Sequence, residues 1–199
     1  MAIISITNFK GGVGKTTAAI AFATVLSTKH NVLLIDADQN ASALQWAGYE
    51  NLPFDVKTEN AARPLLMKGN HDFVIVDSQV APDSGEIKAL AEGSDVVIVP
   101  TTTEALSIAS TGKVFAEADS DKLITLVCMI PPLPQTDGKD TLTALQDAGL
   151  KSFKGMIRRS KVYSQASETG ADMSQLKGRM PIYWRDWVKV TDELLRLIS

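Results

Sequence analysis

The segment 9–17 reads Phe-Lys-Gly-Gly-Val-Gly-Lys-Thr-Thr and carries two lysines, Lys10 and Lys15, five positions apart. Its glycines leave backbone N–H groups free to converge on phosphate oxygens. Lys15 is then placed to reach the β- and γ-phosphates of a nucleoside triphosphate, and the Thr16 hydroxyl is placed to bind Mg²⁺. The predicted nucleotide-binding residues are Lys10, Gly11, Gly12, Val13, Gly14, Lys15, Thr16 and Thr17.

The flanks of this loop support phosphate binding. A short β-branched run, 3–7, precedes the loop, and residues 16–26 have a helical composition. The loop is therefore expected between a strand and the N-terminus of a helix, where the helix dipole favours an anion. A glycine-rich turn without a ligand is the alternative, and the strand, the glycines, both lysines and the paired threonines together argue against it.

Carboxylates end two further apolar strands. Residues 31–38 (NVLLIDAD) end in Asp36 and Asp38, and alternate positions of a strand lie on one face. The strand 73–76 is followed by Asp77, the pattern of a Walker B aspartate that holds Mg²⁺. The structural alternative is that Asp38 or Asn40 caps the following helix, 41–47.

With these motifs the chain resembles the ParA/MinD group of ATPases, whose deviant Walker A motif is KGGxGKT[ST], and most of all the short ParA-type (ParF-like) plasmid partition ATPases. The resemblance implies ATP and Mg²⁺ as ligands and a homodimer that clamps two ATP molecules. It implies that Lys10 crosses the interface to the nucleotide of the partner, and that Asp38 positions the attacking water. Lys10, Lys15 and Asp38 are thus the implied catalytic residues, and Thr16, Asp36 and Asp77 the implied metal site.

The chain also departs from this family. Many relatives continue Asp-Thr-Pro-Pro after the Walker B strand, whereas residues 78–83 here read SQVAPD. The strand 95–100 is followed by Thr101, Thr102, Thr103 and Glu104, which are either nucleotide contacts or ordinary strand-end residues. The strand 123–130 lacks the Asn-Arg pair with which relatives contact adenine. A base contact by the proline-rich loop 131–138 is therefore a hypothesis.

Strands and helices alternate along the chain. Strands are predicted near 2–7, 31–36, 73–77, 95–99, 123–130 and 152–157, and helices near 15–28, 41–47, 84–92, 105–118, 139–148, 161–168 and 185–198. Alternation of this kind predicts an α/β fold, a doubly wound and mainly parallel sheet with helices on both faces. We expect one domain over 1–199. Ligands bind at the carboxyl ends of the strands in such folds, where the loop and the aspartates lie.

Composition limits the remaining possibilities. No uninterrupted apolar stretch reaches 18 residues, so no membrane span and no membrane partner are expected. The first strand begins within three residues of the start, so neither a signal peptide nor an N-terminal helix-turn-helix is expected. The single cysteine, Cys128, excludes internal disulfides and is expected to be buried. By resemblance the protein is expected in the cytoplasm, on the nucleoid when ATP-bound.

Basic residues concentrate at the C-terminal end. Residues 150–199 hold ten Lys and Arg against five Asp and Glu, although the net charge of the chain is −3. Such a stripe suits a phosphate backbone, and a solvated charged face is the alternative. Because short ParA-type proteins bind DNA without sequence preference through their C-terminal portion, the resemblance implies DNA binding by Lys151, Lys154, Arg158, Arg159, Lys161 and Arg179.

Two functions are compatible with these residues. The first is a DNA-positioning ATPase that moves a cargo, a plasmid in the first instance, with a ParB-like adaptor that stimulates hydrolysis. The second is a small-molecule ligase or synthetase on the same scaffold, similar to dethiobiotin synthetase. Lys10 and the basic C-terminal quarter favour the first.

Overall fold

A computed structural model describes residues 1–49, 51–79, 82–132, 134–175 and 180–198. Its strands are β1 (Ala2–Ile6), β2 (Val32–Asp36), β3 (Asp55–Thr58), β4 (Phe73–Asp77), β5 (Val96–Thr101) and β6 (Leu123–Val127). Its helices are α1 (Lys15–Leu26), α2 (Ser42–Ala47), α3 (Glu59–Lys68), α4 (Ser84–Gly93), α5 (Ala105–Ala118), α6 (Asp137–Asp147), α7 (Lys161–Thr169) and α8 (Met180–Leu197).

The strands form one sheet in the order β3-β2-β4-β1-β5-β6, and every pairing is parallel. Alternate residues of a strand enter different hydrophobic clusters on the two faces. Ile98 of β5 packs with the residues of α1 and α8, whereas Val97 and Val99 pack with Ile87 of α4 and Val114 of α5. Strands that are covered on both faces read as continuous apolar runs. The predicted doubly wound sheet is therefore confirmed.

One strand and one helix were not predicted. The edge strand β3 pairs with β2 and has one buried residue, Val56, so its sequence carries almost no pattern. The helix α3 contains Pro64, which ordinarily argues against a helix, although here it lies near the middle of a short one. The start of α3 is capped by the Thr58 hydroxyl, which accepts a hydrogen bond from the Ala61 N–H at 3.3 Å.

The predicted strand 152–157 is wrong. This segment follows the outer edge of β6 through two isolated parallel bridges, Thr125 to Ser152 and Ile130 to Arg158. Between the bridges the backbone N–H groups of Lys154 and Gly155 donate instead to the Glu193 carboxylate, at 2.8 and 2.9 Å. Competition from this carboxylate on α8 explains the missing strand. Because the bridges are parallel, residue 151 lies near the amino edge of the sheet and residue 159 near its carboxyl edge.

The C-terminal helix α8 belongs to the core. Trp187, Val190 and Leu194 are buried. The Trp187 and Phe22 rings pack edge to face, with their centroids 5.6 Å apart. Cys128 is buried in the same cluster, in agreement with its prediction. Within the residues described, no helix has both the length and the apolar character that a membrane crossing requires.

Candidate functional site

The loop between β1 and α1 has the backbone of an anion site. Gly12 and Gly14 adopt the left-handed φ values of 74° and 96°, which L-residues with a side chain rarely adopt. Gly14 is the N-cap of α1, and no described side chain caps the N–H groups of the first turn. The first turn of α1 also has no acidic residue. Its amides and dipole are therefore available to a phosphate.

Lys15 lies inside this loop and not at the surface. Its side chain is buried, and its Nζ is 3.5 Å from the Asn8 carbonyl oxygen. Burial lowers the pKa of Lys15, while the charges of Asp77 and Asp38 act in the opposite direction. A partly desolvated ammonium group beside free loop amides interacts with an anion more strongly than an ammonium group in water does.

Asp77 ends β4 with both carboxylate oxygens buried. Neither oxygen forms a hydrogen bond of standard geometry within the described residues. Burial is the main cause that raises the pKa of Asp77 to about 7, and the neighbouring Asp36 raises it too, whereas the nearby Thr16 hydroxyl and Lys15 lower it. Unsatisfied buried carboxylate oxygens are rare, and a cation or a metal-bound water would satisfy them.

The donor set fits Mg²⁺ bound together with a nucleotide. Among the described residues, no group of three or more His, Cys, Asp or Glu side chains could hold a metal by itself. Mg²⁺ in nucleotide sites takes one or two carboxylates and completes its shell with phosphates and water. Asp77, with Thr16 beside it, supplies that kind of partial site.

Asp36 and Asp38 have different surroundings. Asp36 stands opposite Asp77 in the register of β2 and β4. Its Oδ1 accepts the N–H of Asp38 at 3.1 Å, and its Oδ2 accepts the N–H of Leu44, in the first turn of α2, at 2.9 Å. Asp36 therefore caps α2. The structural alternative had assigned this capping to Asp38 or Asn40. Each Asp36 oxygen accepts one backbone N–H, so Asp36 holds the loop after β2 in place.

Asp38 is more accessible. Its Oδ1 accepts hydrogen bonds from the backbone and side-chain N–H groups of Asn40, at 2.8 and 2.9 Å. Its other oxygen makes no hydrogen bond within the described part of the chain. The free oxygen can therefore accept a hydrogen bond from water at the mouth of the site.

The Lys10 ammonium group has its partner outside the phosphate loop. It forms an ion pair with Glu104, the N-cap residue of α5. The hydrogen bond from Lys10, together with its charge, lowers the pKa of Glu104, and Arg159 adds to this effect. Glu104 itself is exposed, so the pair lies at the surface.

Asn8 is a site residue that sequence reasoning missed. It is fully buried, and its Oδ1 accepts the N–H of Lys10 at 3.1 Å and the hydroxyl of Ser110 at 2.6 Å. Its Nδ2 donates to the Pro100 carbonyl oxygen at 2.8 Å. Asn8 therefore ties the loop to the end of β5 and to α5. An asparagine just before a glycine loop is the only sequence signal, because Pro100 and Ser110 lie about a hundred positions further along the chain.

The threonines after β5 build the turn into α5. The Thr101 hydroxyl is buried and donates to the Ser107 hydroxyl at 3.2 Å, and the Ser107 oxygen also accepts the N–H of Thr102 at 3.0 Å. These contacts favour the structural role that was one of the two alternatives for them.

A cavity of about 330 Å³ adjoins the phosphate loop. Gly14 and Thr17 belong to both, and Met129, Ile157 and Trp187 supply apolar walls. None of the described residues of the proline-rich loop 131–138 lines it; Leu133 lies outside the described residues. The cavity is large enough for the nucleoside part of a ligand whose phosphates rest on the loop.

Sequence comparison identifies the family of this site. Residues 4–174 match the family described as CobQ/CobB/MinD/ParA nucleotide binding domain. The chain belongs to this family. It is also 30% identical over 185 residues to the maintenance of carboxysome distribution protein A of Gloeobacter kilaueensis, and the match covers 89% of this chain and 86% of that protein. The predicted ParA/MinD relationship is confirmed.

Solved structures show the same fold. The MinD cell division protein of Aquifex aeolicus superposes with a TM-score of 0.80 at 19% identity, over 98% of this chain and 97% of that one. A plasmid partition protein of Borrelia burgdorferi bound to AMPPNP superposes with a TM-score of 0.73 at 20% identity, over 98% of each chain. The ParA/MinD fold thus extends across almost the whole chain.

The basic residues of this ParA/MinD domain do not form one patch. Lys151, Lys154, Arg159 and Lys161 are exposed, and Arg179 lies outside the described residues. Lys151 donates to the Asp121 carbonyl oxygen at 2.6 Å, near the amino edge of the sheet. Arg159 lines the cavity at the carboxyl edge. Lys151 and Arg159, two of the predicted DNA-binding residues, therefore lie towards opposite edges of the sheet.

Arg158 differs from its exposed neighbours. Its Nε and Nη2 donate to the two oxygens of the buried Asp186 carboxylate, at 2.8 and 2.6 Å. The guanidinium carbon is also 5.9 Å from the centre of the Tyr183 ring. A guanidinium held on both sides in this way is a structural anchor of α8 and is poorly placed to neutralise a phosphate of DNA.

Proposed function

We propose that this chain is a ParA-type positioning ATPase that binds ATP and Mg²⁺, dimerises with ATP, binds DNA without sequence preference and releases it after hydrolysis. The observation that carries the proposal is the contrast between the two lysines of the loop. Lys15 is buried within its own phosphate site, whereas Lys10 is partly exposed and paired with the exposed Glu104. A surface lysine in a phosphate loop is placed to serve a nucleotide that another molecule holds.

The chemistry of each subunit follows from the site. Lys15 and the loop amides bind the β- and γ-phosphates, and Thr16 and Asp77 hold Mg²⁺, which neutralises charge on the phosphates when bound. Asp36 keeps the loop after β2 in place. Asp38, with its free oxygen, orients the attacking water. The cavity beside Gly14 and Thr17 receives the nucleoside.

DNA binding is proposed for the exposed lysines. Lys151 lies towards the amino edge of the sheet, where its Nζ donates to the Asp121 carbonyl oxygen, and Lys154 is exposed three residues further on. Dimerisation doubles the number of phosphate contacts that one particle makes. Each neutralised DNA phosphate releases counterions and changes the slope of log affinity against log salt concentration by roughly −0.9. A dimer, which neutralises more phosphates, therefore binds duplex DNA far better than a monomer does.

The proposed partner is a ParB-like adaptor on a cargo, and the proposed cargo is a plasmid. The name of the Borrelia protein supports a plasmid, while the name of the Gloeobacter relative supports a carboxysome, a protein body. Affinity purification of the ATP-bound chain from its own cells distinguishes the two. An adaptor that recognises a plasmid site supports the proposal, and an adaptor attached to a protein shell contradicts the plasmid cargo.

The decisive experiment compares Lys10→Ala with Lys15→Ala. Calorimetry measures ATP binding, and sedimentation with a non-hydrolysable ATP analogue measures dimerisation. We expect wild type to bind and dimerise, Lys10→Ala to bind and remain monomeric, and Lys15→Ala to do neither. A Lys10→Ala protein that dimerises like wild type contradicts the proposal. An ATPase activity that appears only with a carboxylate substrate, and not with DNA and adaptor, supports the ligase alternative.

A further inference from the structure

The neighbouring arginines Arg158 and Arg159 face different parts of the molecule. Arg158 binds Asp186 through two nitrogens. Arg159 holds its backbone in place by donating its N–H to the Ile130 carbonyl oxygen at 2.9 Å, and its side chain lines the cavity beside the phosphate loop. Within the described ranges, the Arg159 guanidinium makes no hydrogen bond or ion pair. Its charge is therefore available to a ligand at the mouth of the cavity.

The walls of this cavity are mainly apolar and aromatic. The Tyr163 hydroxyl and the Trp187 indole N–H are both buried, and within the described residues neither forms a hydrogen bond of standard geometry, although they lie close to each other. Both residues line the cavity, together with apolar Met129 and Ile157. Apolar and aromatic walls suit the faces of a flat ring, and the exposed Arg159 at the mouth suits a ligand with hydrogen-bond acceptors at its edge. A nucleobase has both properties.

The position of the cavity restricts the ligand further. Gly14 caps α1 and Thr17 lies in its first turn, and both line the cavity as well as the phosphate loop. A molecule with phosphates on the loop therefore places its base and ribose in the cavity. Ser160 and Ser164 belong to the same lining. The Ser160 hydroxyl accepts the Val162 N–H and can still donate, and the Ser164 hydroxyl donates to the Lys161 carbonyl oxygen and can still accept.

We infer that Arg159 is a nucleotide-contacting residue that closes the cavity over the nucleoside half of the bound nucleotide, and that it is not a DNA contact. The inference rests on the ATP binding of the proposed function. A guanidinium is planar and weakly hydrated, so it can stack on a base or donate to the acceptors of base and ribose. Its location at the carboxyl edge, near Glu104, separates it from Lys151 at the other end of the same segment.

The experiment compares affinities for three ligands: ATP, ADP and tripolyphosphate. Calorimetry is carried out on wild type, Arg159→Ala, Arg159→Lys and the matched control Lys161→Ala. Lys161 is also exposed, two positions further on, and does not line the cavity. Because Arg159 is exposed, its substitution leaves the core intact, and circular dichroism checks this.

We expect Arg159→Ala to lower the affinities for ATP and ADP by a similar factor, about tenfold or more, as for the loss of a hydrogen bond to a charged group. Its affinity for tripolyphosphate should equal that of wild type, because the loop is unchanged. Arg159→Lys should be intermediate, since an ammonium donates but does not stack. Lys161→Ala should bind all three ligands like wild type. At saturating ATP, Arg159→Ala should keep the wild-type slope of DNA affinity against salt.

Three results overturn the inference. The first is unchanged ATP affinity in Arg159→Ala. The second is an equal loss of affinity for ATP and for tripolyphosphate, which would show that Arg159 contacts the phosphates. The third is a flatter salt slope with DNA at saturating ATP, which assigns Arg159 to DNA. Wild type is measured first, so a failure of wild type to bind ATP contradicts the proposed function itself and is distinguishable from all three.

Discussion

The Lys10 ammonium and the Glu104 carboxylate form an ion pair that joins the phosphate loop to the first residue before α5. The lysine proposed to act on the nucleotide of a second subunit is thus held by its own chain. Any dimer that uses Lys10 in this way must first exchange Glu104 for phosphate as the partner of the lysine. Asn8 holds the backbone of Lys10 during this exchange, because it binds the Lys10 N–H and not the side chain.

Removal of the Glu104 charge should favour the dimer. In Glu104→Gln, Lys10 loses its competing partner, so dimerisation with a non-hydrolysable ATP analogue should become severalfold tighter while monomer stability changes little. Sedimentation at several protein concentrations measures the effect. Asp147→Asn, which changes an exposed carboxylate at the end of α6, is the matched control. Weaker dimerisation in Glu104→Gln would show that Glu104 assists the assembled state.

Loss of the Lys15 charge should abolish ATP binding. Lys15 is the lysine whose side chain lies buried within the loop, and the Lys10 ammonium group is paired with Glu104 instead. In Lys15→Ala we expect the affinity for ATP to fall by at least about 100-fold, as for the loss of a charged hydrogen-bond partner in a desolvated site. Calorimetry is the measurement. Equal affinity in variant and wild type would contradict the assignment.

Asp38→Ala should separate binding from hydrolysis. Asp38 has one oxygen free for water, and its other contacts are to Asn40 in the same loop. The variant should bind ATP and dimerise like wild type, and its turnover should fall by about 10²–10⁴, the range for loss of a residue that orients the nucleophile or takes its proton. Phosphate release under single-turnover conditions measures this. Turnover at the wild-type rate would remove Asp38 from the mechanism.

The Asp77 carboxyl should make stability depend on pH. Its pKa is about 7 in the folded protein against an ordinary value of 3.8, so the unfolded chain releases this proton first as pH rises. Stability is therefore lost between about pH 4 and pH 7, and the loss is constant above that range. Nucleotide-free Asp77→Asn avoids the loss and should be more stable than wild type at pH 8, by up to about 4 kcal/mol, with a smaller gain at pH 5.

Denaturant unfolding of the wild type and Asp77→Asn at both pH values measures this difference. MgATP should reverse the order at pH 8, because the metal stabilises the ionised carboxylate of wild type and the amide cannot replace it. A stability difference that is the same at both pH values, or an equal gain from MgATP in both proteins, would contradict the role of Asp77.

The basic residues near β6 should divide into two classes. Replacing Lys151 and Lys154 by glutamate should weaken DNA binding equally for unrelated duplexes and flatten the salt slope by about one for each DNA phosphate that is no longer neutralised. ATP affinity should remain unchanged. Arg158→Ala should instead destabilise the fold, by about 1–2 kcal/mol, because the buried Asp186 loses its partner while Arg158 itself is partly exposed.

Binding to two duplexes at several salt concentrations, with parallel denaturant unfolding, separates these two classes. A preference of the wild type for one duplex, or an unaffected salt slope in the double lysine variant, would contradict the assignment of DNA to this surface. A loss of DNA affinity without loss of stability in Arg158→Ala would return Arg158 to the DNA-binding residues.

Local motifs were predictable from this sequence, and contacts between distant segments were not. The phosphate loop, Asp36 and Asp77 are defined by short runs whose neighbours in sequence are also neighbours in space. The Lys10 to Glu104 pair joins residues 94 positions apart, and Asn8 contacts Ser110 across 102 positions. A single sequence contains no record of such pairs. The edge strand β3 was missed for a different reason, since one buried residue makes no periodic pattern.

The two hydrogen bonds of Asp36 close the chain into a small ring. Its carboxylate binds the N–H of Asp38 on one side and the N–H of Leu44, eight residues on, on the other. An insertion or deletion between these residues would break one bond or displace α2, so the length of this loop should hardly tolerate change. Deep insertion scanning would therefore find that the distance along the chain from Asp36 to α2 is fixed almost to the residue.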